Sequence, residues 1–266
     1  GSIIRGDLTD TSSIFRAVEI ATPQEIYNMG AVSHVQYSFM HPEHTMEVNG
    51  LGLWRLVEAA RRFAPDARIY QASSSELFGA APAPQNEDSP LTPVNPYGVA
   101  KLAAHQMAAI YRAQGLWVSC GICFNHVSPR SGTEFIMNKL IQAANKIRRG
   151  EMDRVPVGEM SAKRDFGWAP EYCDGIIRIL RHTEPVDLVL ATGVSVSMRE
   201  LADFIFSQAG LDFGGVSYVD SALVRPTEIL ELRGDSSRAR ELIGWNPKFT
   251  WKEVVAALMG SALAAT

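Results

Sequence analysis

The sequence predicts an α/β fold: a doubly wound parallel sheet followed by a smaller α/β domain. Short apolar runs alternate with longer amphipathic runs over the first half of the chain. This alternation is typical of parallel strands that are connected by helices on both faces of a sheet. After about residue 127 the alternation loosens and loops that contain Gly and Pro become frequent, which indicates the second domain.

The predicted strands are short apolar runs, several of which are apolar on both faces, as buried parallel strands are. In chain order they are residues 25–31, 68–73, 116–124 and 187–192. Cys120 and Cys123 form a C-x-x-C motif in the third strand, and positions three apart on a strand point to opposite faces. We therefore expect two buried thiols rather than a redox or metal pair.

The predicted helices lie between and after these strands, at residues 49–63, 96–115, 197–209 and 250–264. The second is marked at both ends, by Pro96 near its start and Gly115 at its end. Its apolar positions are Leu102, Ala103, Met107, Ala108, Ile110 and Tyr111. They are more numerous than contact with one sheet face requires. We expect this helix to pack against its copy in a second subunit; the alternative is that it only covers its own sheet.

Composition and charge exclude several classes of protein. The chain has 266 residues, of which 46% are apolar and 20% charged, and its net charge is −4. These values suit a soluble globular protein of one or two domains and disfavour nucleic acid or a membrane as the main partner. Three cysteines are too few for a disulfide framework, and the six histidines show no metal-ligand spacing. From this histidine spacing we expect no metal site. Because the sequence shows no apolar span of about 18 residues and no signal peptide, we expect a cytoplasmic protein.

The first residues, GSIIRGDLTD, have the pattern of the end of a later strand followed by a loop. A doubly wound dinucleotide-binding domain should open instead with a strand and a glycine-rich turn. Either the fold is different, or about 50 to 60 residues precede this stretch in the natural protein, a length that a βαβ unit makes plausible. We expect the second.

Polar side chains follow the second predicted strand directly. The segment QASSSELFG places Ser74 and Glu76 where this strand leaves the core, and ligands of open α/β sheets bind at that carboxyl edge. The alternative is a solvated loop with helix-capping residues.

Tyr97 and Lys101 lie four residues apart, on one face of the helix that follows. An ammonium group next to a phenol lowers the pKa of the phenol, which would let the tyrosine act as a base. The alternative is a pair of surface neighbours without a chemical role.

Five motifs occur in order: GDLTD at residues 6–10, YNMGAVSHVQYSF at 27–39, QASSSELFG at 71–79, PYGVAK at 96–101 and FNHVSPRSG at 124–132. Two later blocks, AKRDFGWAPEY and RPTEILELRGD, complete the series. The series resembles the extended short-chain dehydrogenase/reductase superfamily of nucleotide-sugar enzymes. Within it, the chain is most similar to the GDP-mannose 4,6-dehydratase family, over essentially its whole length.

The resemblance implies roles for individual residues. The catalytic positions fall on Ser74, Glu76, Tyr97 and Lys101. The cofactor-binding positions fall on Asp7, Leu8, Met29, Gly30, Ala31, Ser33, Lys101 and His126. The positions that hold the GDP part of the substrate fall on Asn125, Lys139, Arg164, Arg225 and Glu228. The alternative for each cation among them is a solvated surface charge, and Glu228 could instead pair with Arg225.

The same resemblance implies a redox-neutral reaction. Tyr97 removes the proton of the sugar O4 hydroxyl while hydride leaves C4, and Ser74, where the family usually has threonine, hydrogen-bonds O4. Glu76 then takes the C5 proton, which the C4 ketone makes acidic, and assists loss of the C6 hydroxyl as water. Hydride returns to C6, so the nicotinamide cofactor stays bound.

NADP is the cofactor that the family implies. NAD stays possible because Ser131 stands where the family usually has a cofactor-contacting arginine, and His44 where it often has tyrosine. We assign residues 1–126 and 164–191 to a Rossmann-like cofactor domain. Residues 127–163 and 192–266 are assigned to a substrate domain.

The implied activity converts GDP-D-mannose to GDP-4-keto-6-deoxy-D-mannose in a homodimer or homotetramer. A GDP-4-keto-6-deoxymannose reductase is the first alternative, since it shares RDF, an RP-x-E block and a Ser-Ser-Glu stretch. Another nucleotide-sugar dehydratase or epimerase is the second. A non-catalytic binding protein that keeps the fold is the third, and the intact catalytic set argues against it.

Overall fold

The computed structural model describes residues 2–224 and 227–263. Its strands are β1 (Glu25–Asn28), β2 (Arg68–Ser74), β3 (Val118–Cys123), β4 (Asn125–Val127), β5 (Val155–Val157), β6 (Lys163–Trp168), β7 (Asp187–Leu190), β8 (Ser195–Ser197), β9 (Ser217–Val219) and β10 (Glu231–Leu232). Its α-helices are α1 (Thr11–Ala21), α2 (Val35–Met40), α3 (Pro42–Met46), α4 (Gly52–Phe63), α5 (Pro96–Ala113), α6 (Ile136–Arg148), α7 (Ala169–Leu180), α8 (Met198–Gln208), α9 (Phe213–Val216), α10 (Ser237–Ile243) and α11 (Trp251–Leu263). None of the helices within these ranges has the length and apolar character needed to cross a membrane.

Strands β1, β2, β3 and β7 form a parallel sheet in that order. One face packs on α4 and α5 through a core that includes Ile69 and Cys120. The other face packs on α7 and α10 through a core that includes Tyr70 and Cys123. The predicted doubly wound parallel sheet is therefore confirmed, and the two thiols are buried on its opposite faces, as expected.

The remaining strands form two smaller sheets. Strands β10, β6 and β4 pair in parallel, and β8 joins β6 in the antiparallel sense. Strands β5 and β9 form a separate parallel pair. A second large core, built from α6, α8 and α11 with Phe166 of β6, packs here. The sequence analysis identified none of these strands, because runs this short carry too little periodicity. The division into two domains stays a prediction.

The chain between β1 and α4 differs from its prediction. β1 ends at Asn28, and the helix predicted from residue 49 begins instead as a π-helix at Glu47–Leu51. The buried Asn49 lies in this π-helix, and its side chain pairs with the backbone N–H and C=O of Val32, both at 2.8 Å. This pairing ties the chain after β1 to the π-helix. Residues 2–7, predicted as a strand end, belong to no strand.

The outer edge of the sheet, at β7, is covered by a loop residue. Glu87 Oε1 accepts a hydrogen bond from the Val189 amide at 2.7 Å, and Glu87 Oε2 lies 3.8 Å from Arg238 Nε. Burial raises the pKa of Glu87. This carboxylate takes a backbone donor that a neighbouring strand would otherwise use.

Candidate active site

The four side chains predicted to be catalytic converge where β2 ends and α5 begins. Ser74 is the last residue of β2, and Glu76 lies in the 3-10 turn Ser75–Leu77 that follows. Ser74 Oγ accepts a hydrogen bond from the Glu76 amide at 3.3 Å, which starts this turn. Ser74 also hydrogen-bonds Tyr97, which lies in the first turn of α5. The strand end and the helix start thus share one polar cluster.

Lys101 lies one helical turn after Tyr97 and is buried against β2. Its Nζ donates to the carbonyl of Ala72 at 2.8 Å and lies 5.8 Å from the centre of the Tyr97 ring. Only 2% of Lys101 is exposed, and burial lowers its pKa to about 8. The spacing of four residues therefore brings both side chains to one face of the helix, as predicted.

The pKa of Tyr97 moves opposite to its prediction. This pKa is about 12, because burial and, to a smaller extent, the negative charge of Glu76 raise it, while the hydrogen bond with Ser74 lowers it only in part. The prediction of a lowered pKa was wrong for this structure, because loss of hydration of the phenolate outweighs the effects that favour it. Residue spacing alone does not reveal that burial.

The residues predicted to bind the cofactor lie beyond the carboxyl end of β1. Residues 29–31 and Ser33 are exposed there. Gly30 faces Leu8 so closely that a Cβ atom at this position would lie 2.8 Å from Leu8 Cδ1. Asp7 accepts hydrogen bonds from the amide and hydroxyl of Thr9, both at 2.8 Å, and these bonds lower its pKa. The structure thus brings Asp7 and Leu8 next to the 29–33 segment.

Asn49 is a functional candidate that the sequence analysis missed. Its two hydrogen bonds to Val32 hold the middle of the 29–33 segment, and only 2% of it is exposed. Asparagine is a poor residue for a helix interior, and buried amides are nearly always hydrogen-bonded. An asparagine inside the predicted helix was the signal that could have identified it.

His126 lies in β4, beside the end of the main sheet. Its Nδ1 is 2.8 Å from the carbonyl of Phe124, so Nδ1 carries the proton and donates. The ring stacks on Tyr172 with centroids 4.7 Å apart. Burial lowers the pKa of His126, which favours a neutral imidazole whose Nε2 can accept a hydrogen bond.

Two of the residues predicted to bind the GDP part of the substrate pair with each other. Arg164 Nη2 lies 2.6 Å from Glu228 Oε1, and Nη1 donates to the carbonyls of Ile229 and Lys163. Arg164 is 6% exposed, so the alternative that it is a solvated surface charge was wrong. The sequence analysis had considered only Arg225 as a partner of Glu228, and Arg225 lies outside the described residues.

The remaining predicted substrate residues are less closely placed. Lys139 lies on α6 and Asn125 is exposed at the start of β4. Among the described residues, no hydrogen bond or ion pair joins the side chain of either to Arg164. A nearer link is that Thr227 donates to the carbonyl of Val94 at 2.9 Å, which joins the Glu228 segment to the chain just before α5.

One cluster of described residues has metal-ligand atoms close together. Atoms of His105, Cys120 and Asp187 lie within 4.8 Å of one another. However, Arg112 already donates to both carboxylate oxygens of Asp187, and burial raises the pKa of the Cys120 thiol. A neighbouring cation and a protonated thiol both disfavour a metal ion, so the cluster is better described as an ion pair.

Comparison with known proteins gives a consistent result. A family model described as GDP-mannose 4,6 dehydratase matches residues 2–258. The chain is 40% identical to GDP-mannose 4,6 dehydratase 1 of Arabidopsis thaliana, over 94% of this chain and 71% of that protein. It is 39% identical to GDP-mannose 4,6-dehydratase of Sinorhizobium fredii, over 90% of this chain and 74% of that protein.

Solved structures share the fold. RMD from Pseudomonas aeruginosa, complexed with NADPH, matches with a TM-score of 0.88 at 24% identity, over 98% of this chain and 88% of that chain. MoeE5, in complex with UDP-glucose and NAD, matches with a TM-score of 0.86 at 25% identity, over 98% of this chain and 85% of that chain.

Proposed function

Because this chain belongs to the GDP-mannose 4,6-dehydratase family, its reaction is the loss of water from GDP-D-mannose, and we propose that Ser74, Glu76, Tyr97 and Lys101 carry it out. The product is GDP-4-keto-6-deoxy-D-mannose, which makes the enzyme a hydro-lyase. The observation that carries the assignment of residues is the shared polar cluster at the end of β2, where Ser74 hydrogen-bonds Tyr97 beside Glu76.

The first step oxidises C4 of the mannose ring. Tyr97 accepts the proton of the O4 hydroxyl while the C4 hydride leaves, and Ser74 orients O4 toward Tyr97. Lys101 lies close to the phenol ring, so its ammonium form favours the phenolate that this step needs. Because the pKa of Tyr97 is raised to about 12, mainly by burial, the proton transfer depends on this help.

The second step eliminates water. A ketone at C4 makes the C5–H bond acidic, and Glu76 removes this proton as a base. This proton leaves with the C6 hydroxyl as water, which leaves a C5=C6 double bond next to the ketone. Hydride then adds to C6 and a proton adds to C5, which balances the hydride lost from C4 and the proton lost from O4, so the reaction needs no external reductant.

NADP is the proposed cofactor, with NAD as the alternative. When bound, it would supply reversible hydride transfer, for which the residues of the protein provide binding and orientation. Residues of this chain suit such a group, because the 29–33 segment is exposed, anchored by Asn49, and free of a side chain at Gly30 beside Leu8. His126 would lie beside the nicotinamide. RMD was solved with NADPH and MoeE5 with NAD, so the two cofactors remain to be distinguished by mass spectrometry of cofactor released from the purified protein.

The GDP part of the substrate is assigned to Asn125, Lys139, Arg164, Arg225 and Glu228. The buried ion pair suggests a division of work, in which Arg164 holds Glu228 in place and Glu228 accepts hydrogen bonds from the ligand. Lys139 and Arg225 would supply positive charge to the diphosphate.

Mass spectrometry of the product tests the proposed function. The full natural chain is incubated with GDP-mannose without added reductant, and the expected product has lost one water molecule. Consumption of reduced cofactor in equal amount to product would identify a reductase instead. A chain that binds GDP-mannose and does not change it would support the non-catalytic alternative.

A further inference from the structure

Asn95 connects two parts of the site that belong to different chemical steps. It caps the N-terminus of α5, where its Oδ1 accepts a hydrogen bond from the Gly98 amide at 2.8 Å. Its Nδ2 donates to Glu76 Oε2, also at 2.8 Å. Asn95 is buried. A single amide therefore starts the helix that carries Tyr97 and holds the carboxylate of Glu76.

The orientation of this amide is fixed by its neighbours. The Gly98 N–H can only donate and the Glu76 carboxylate, when ionised, can only accept. Turning the amide over would bring its NH₂ group toward the Gly98 donor and its oxygen toward the carboxylate. Both contacts would be repulsive, so only the observed orientation satisfies all four groups.

Asparagine is the residue type that this position needs. Serine and aspartate also cap helices well. Serine is too short to reach a second partner with its one proton, and aspartate has no proton to donate. Asparagine alone among the good caps offers an acceptor for the helix and a donor for a carboxylate on opposite sides of one plane.

Gly98 allows the helix and the Glu76 turn to touch. A Cβ atom on Gly98 would lie 2.6 Å from the Glu76 carbonyl oxygen, which is too close for any side chain. The first turn of α5 therefore rests directly on the turn that contains Glu76. Because Tyr97 is in the same helical turn, the distance between the two reactive groups depends on this contact.

We propose that Asn95 is a positioning residue for the elimination step, which rests on the proposed function. Within residues 2–224 and 227–263, the bond from Asn95 is the only hydrogen bond that the Glu76 carboxylate accepts. It fixes Oε2 and leaves Oε1 for the C5 proton. Asn95 touches no reacting atom and acts through Glu76.

The variant Asn95→Ser tests the proposal, because it keeps a good cap and removes the donor to Glu76. We expect dehydration to slow by about ten- to a hundredfold, the usual effect of a misplaced catalytic group. Oxidation at C4 depends on Tyr97, Lys101 and Ser74, so reduced nicotinamide should build up in the absorbance spectrum. The Michaelis constant for GDP-mannose should not change, because Asn95 does not contact the nucleotide part.

A second pair of variants tests the contact without the chemistry. Asn95→Asp keeps the cap and brings a second carboxylate to Glu76, so its melting temperature should fall. Adding Glu76→Gln to it restores a hydrogen bond, now donated by glutamine, and should recover the melting temperature without recovering dehydration. The control is Ser197→Ala, which removes the cap of α8 far along the chain and should not change the ratio of oxidation to dehydration.

The outcomes separate this proposal from the proposed function. If wild-type protein forms no dehydrated product, the proposed function fails. If wild type dehydrates GDP-mannose and Asn95→Ser does so at the same rate, only the role of Asn95 is overturned. Equal slowing of oxidation and dehydration in Asn95→Ser would reduce Asn95 to a helix cap and would also overturn the proposal.

Discussion

Helix α5 carries a polar cluster at each end, and the two clusters treat their buried charges in opposite ways. Near its C-terminal end, Arg112 donates to both carboxylate oxygens of Asp187, and the Cys120 amide donates to the same carboxylate at 2.9 Å. Near its N-terminal end, burial disfavours the charged forms of Tyr97 and Lys101. At the C-terminal end the carboxylate is paired with an opposite charge, whereas Lys101 and Tyr97 form no ion pair within the described residues.

This difference indicates what each cluster is for. A carboxylate with several donors stabilises the folded chain, and removal of one partner leaves a buried charge. Groups whose pKa values are shifted by burial cost stability and are common at functional sites. We expect the N-terminal cluster to keep reactive groups available for a ligand, while Asp187 in the C-terminal cluster links α5 to β3 and β7.

The largest expected effect is loss of the base at the N-terminal cluster. Glu76→Gln keeps the shape of the side chain and its hydrogen bond acceptor, but it cannot take the C5 proton. Dehydration should fall by about 10²–10⁴-fold, while hydride still passes from C4. The measurement follows GDP-mannose in deuterated water, with deuterium at C5 and reduced-nicotinamide absorbance as readouts.

The control for Glu76→Gln is Glu151→Gln, an exposed carboxylate paired with Arg149, which should react as wild type does. Dehydration by Glu76→Gln at the wild-type rate would show that Glu76 is only a loop carboxylate. The reductase alternative would then move ahead.

The C-terminal cluster should respond in stability instead of activity. Asp187→Asn leaves Arg112 without its anionic partner, and we expect a loss of about 3 kcal/mol in the free energy of unfolding. Urea denaturation measures this loss, and the activity per folded molecule should be unchanged. Asp203→Asn, in an exposed pair with Arg199, should cost less than about 1 kcal/mol. Equal losses for the two variants would contradict the comparison.

The pH dependence of stability should show the cost of the N-terminal cluster. The pKa of Lys101 is about 8 in the folded protein against 10.5 ordinarily, so above pH 8 the unfolded chain binds more protons than the folded one. Stability therefore rises with pH between these two values. From pH 7 to 9.5 the contribution of Lys101 is about 2 kcal/mol. Urea denaturation of wild type and Lys101→Met measures it, and a parallel pH dependence of the two would refute it.

The smallest effect on the fold is expected on the solvent-facing side of the second half of α5. Ile110 is 58% exposed and Trp54 of α4 48% exposed, and together with Met107 they line a shallow groove. We propose this surface as the subunit contact of a homodimer, although Ala108 and Tyr111, included in the prediction, pack in the core of their own sheet. Ile110→Asp should halve the mass in light scattering without changing the unfolding free energy.

The matched control for Ile110→Asp is Val219→Asp, since Val219 is also exposed but lies on β9. This variant should keep the mass of wild type. A wild-type protein with the mass of a single chain at micromolar concentration would exclude the dimer.

The sequence predicted the parts of this molecule that depend on local pattern. β2, β3, β7 and α5 lie close to their predicted ranges, because apolar runs and helical periodicity determine them. Strand ends and a spacing of four residues predicted that Ser74, Glu76, Tyr97 and Lys101 lie close together, while their catalytic roles, which the family resemblance implies, stay a prediction.

What the sequence did not predict depends on contacts between distant residues. Asn95 reaches Glu76 across 19 positions, Asn49 reaches Val32 across 17, and Arg164 reaches Glu228 across 64. No local pattern encodes such pairings. The raised pKa of Tyr97 was missed for a related reason, since burial follows from the packing of the whole chain around it.

Glu87 has a consequence for how the molecule behaves in a crowded solution. The outer strand of an open sheet is a template on which another chain can add a strand and begin to aggregate. By occupying the Val189 amide, Glu87 makes any incoming strand displace a carboxylate from a backbone donor of β7. The loop that carries Glu87 therefore protects β7 as a gatekeeper, a task that concerns solubility and is independent of catalysis.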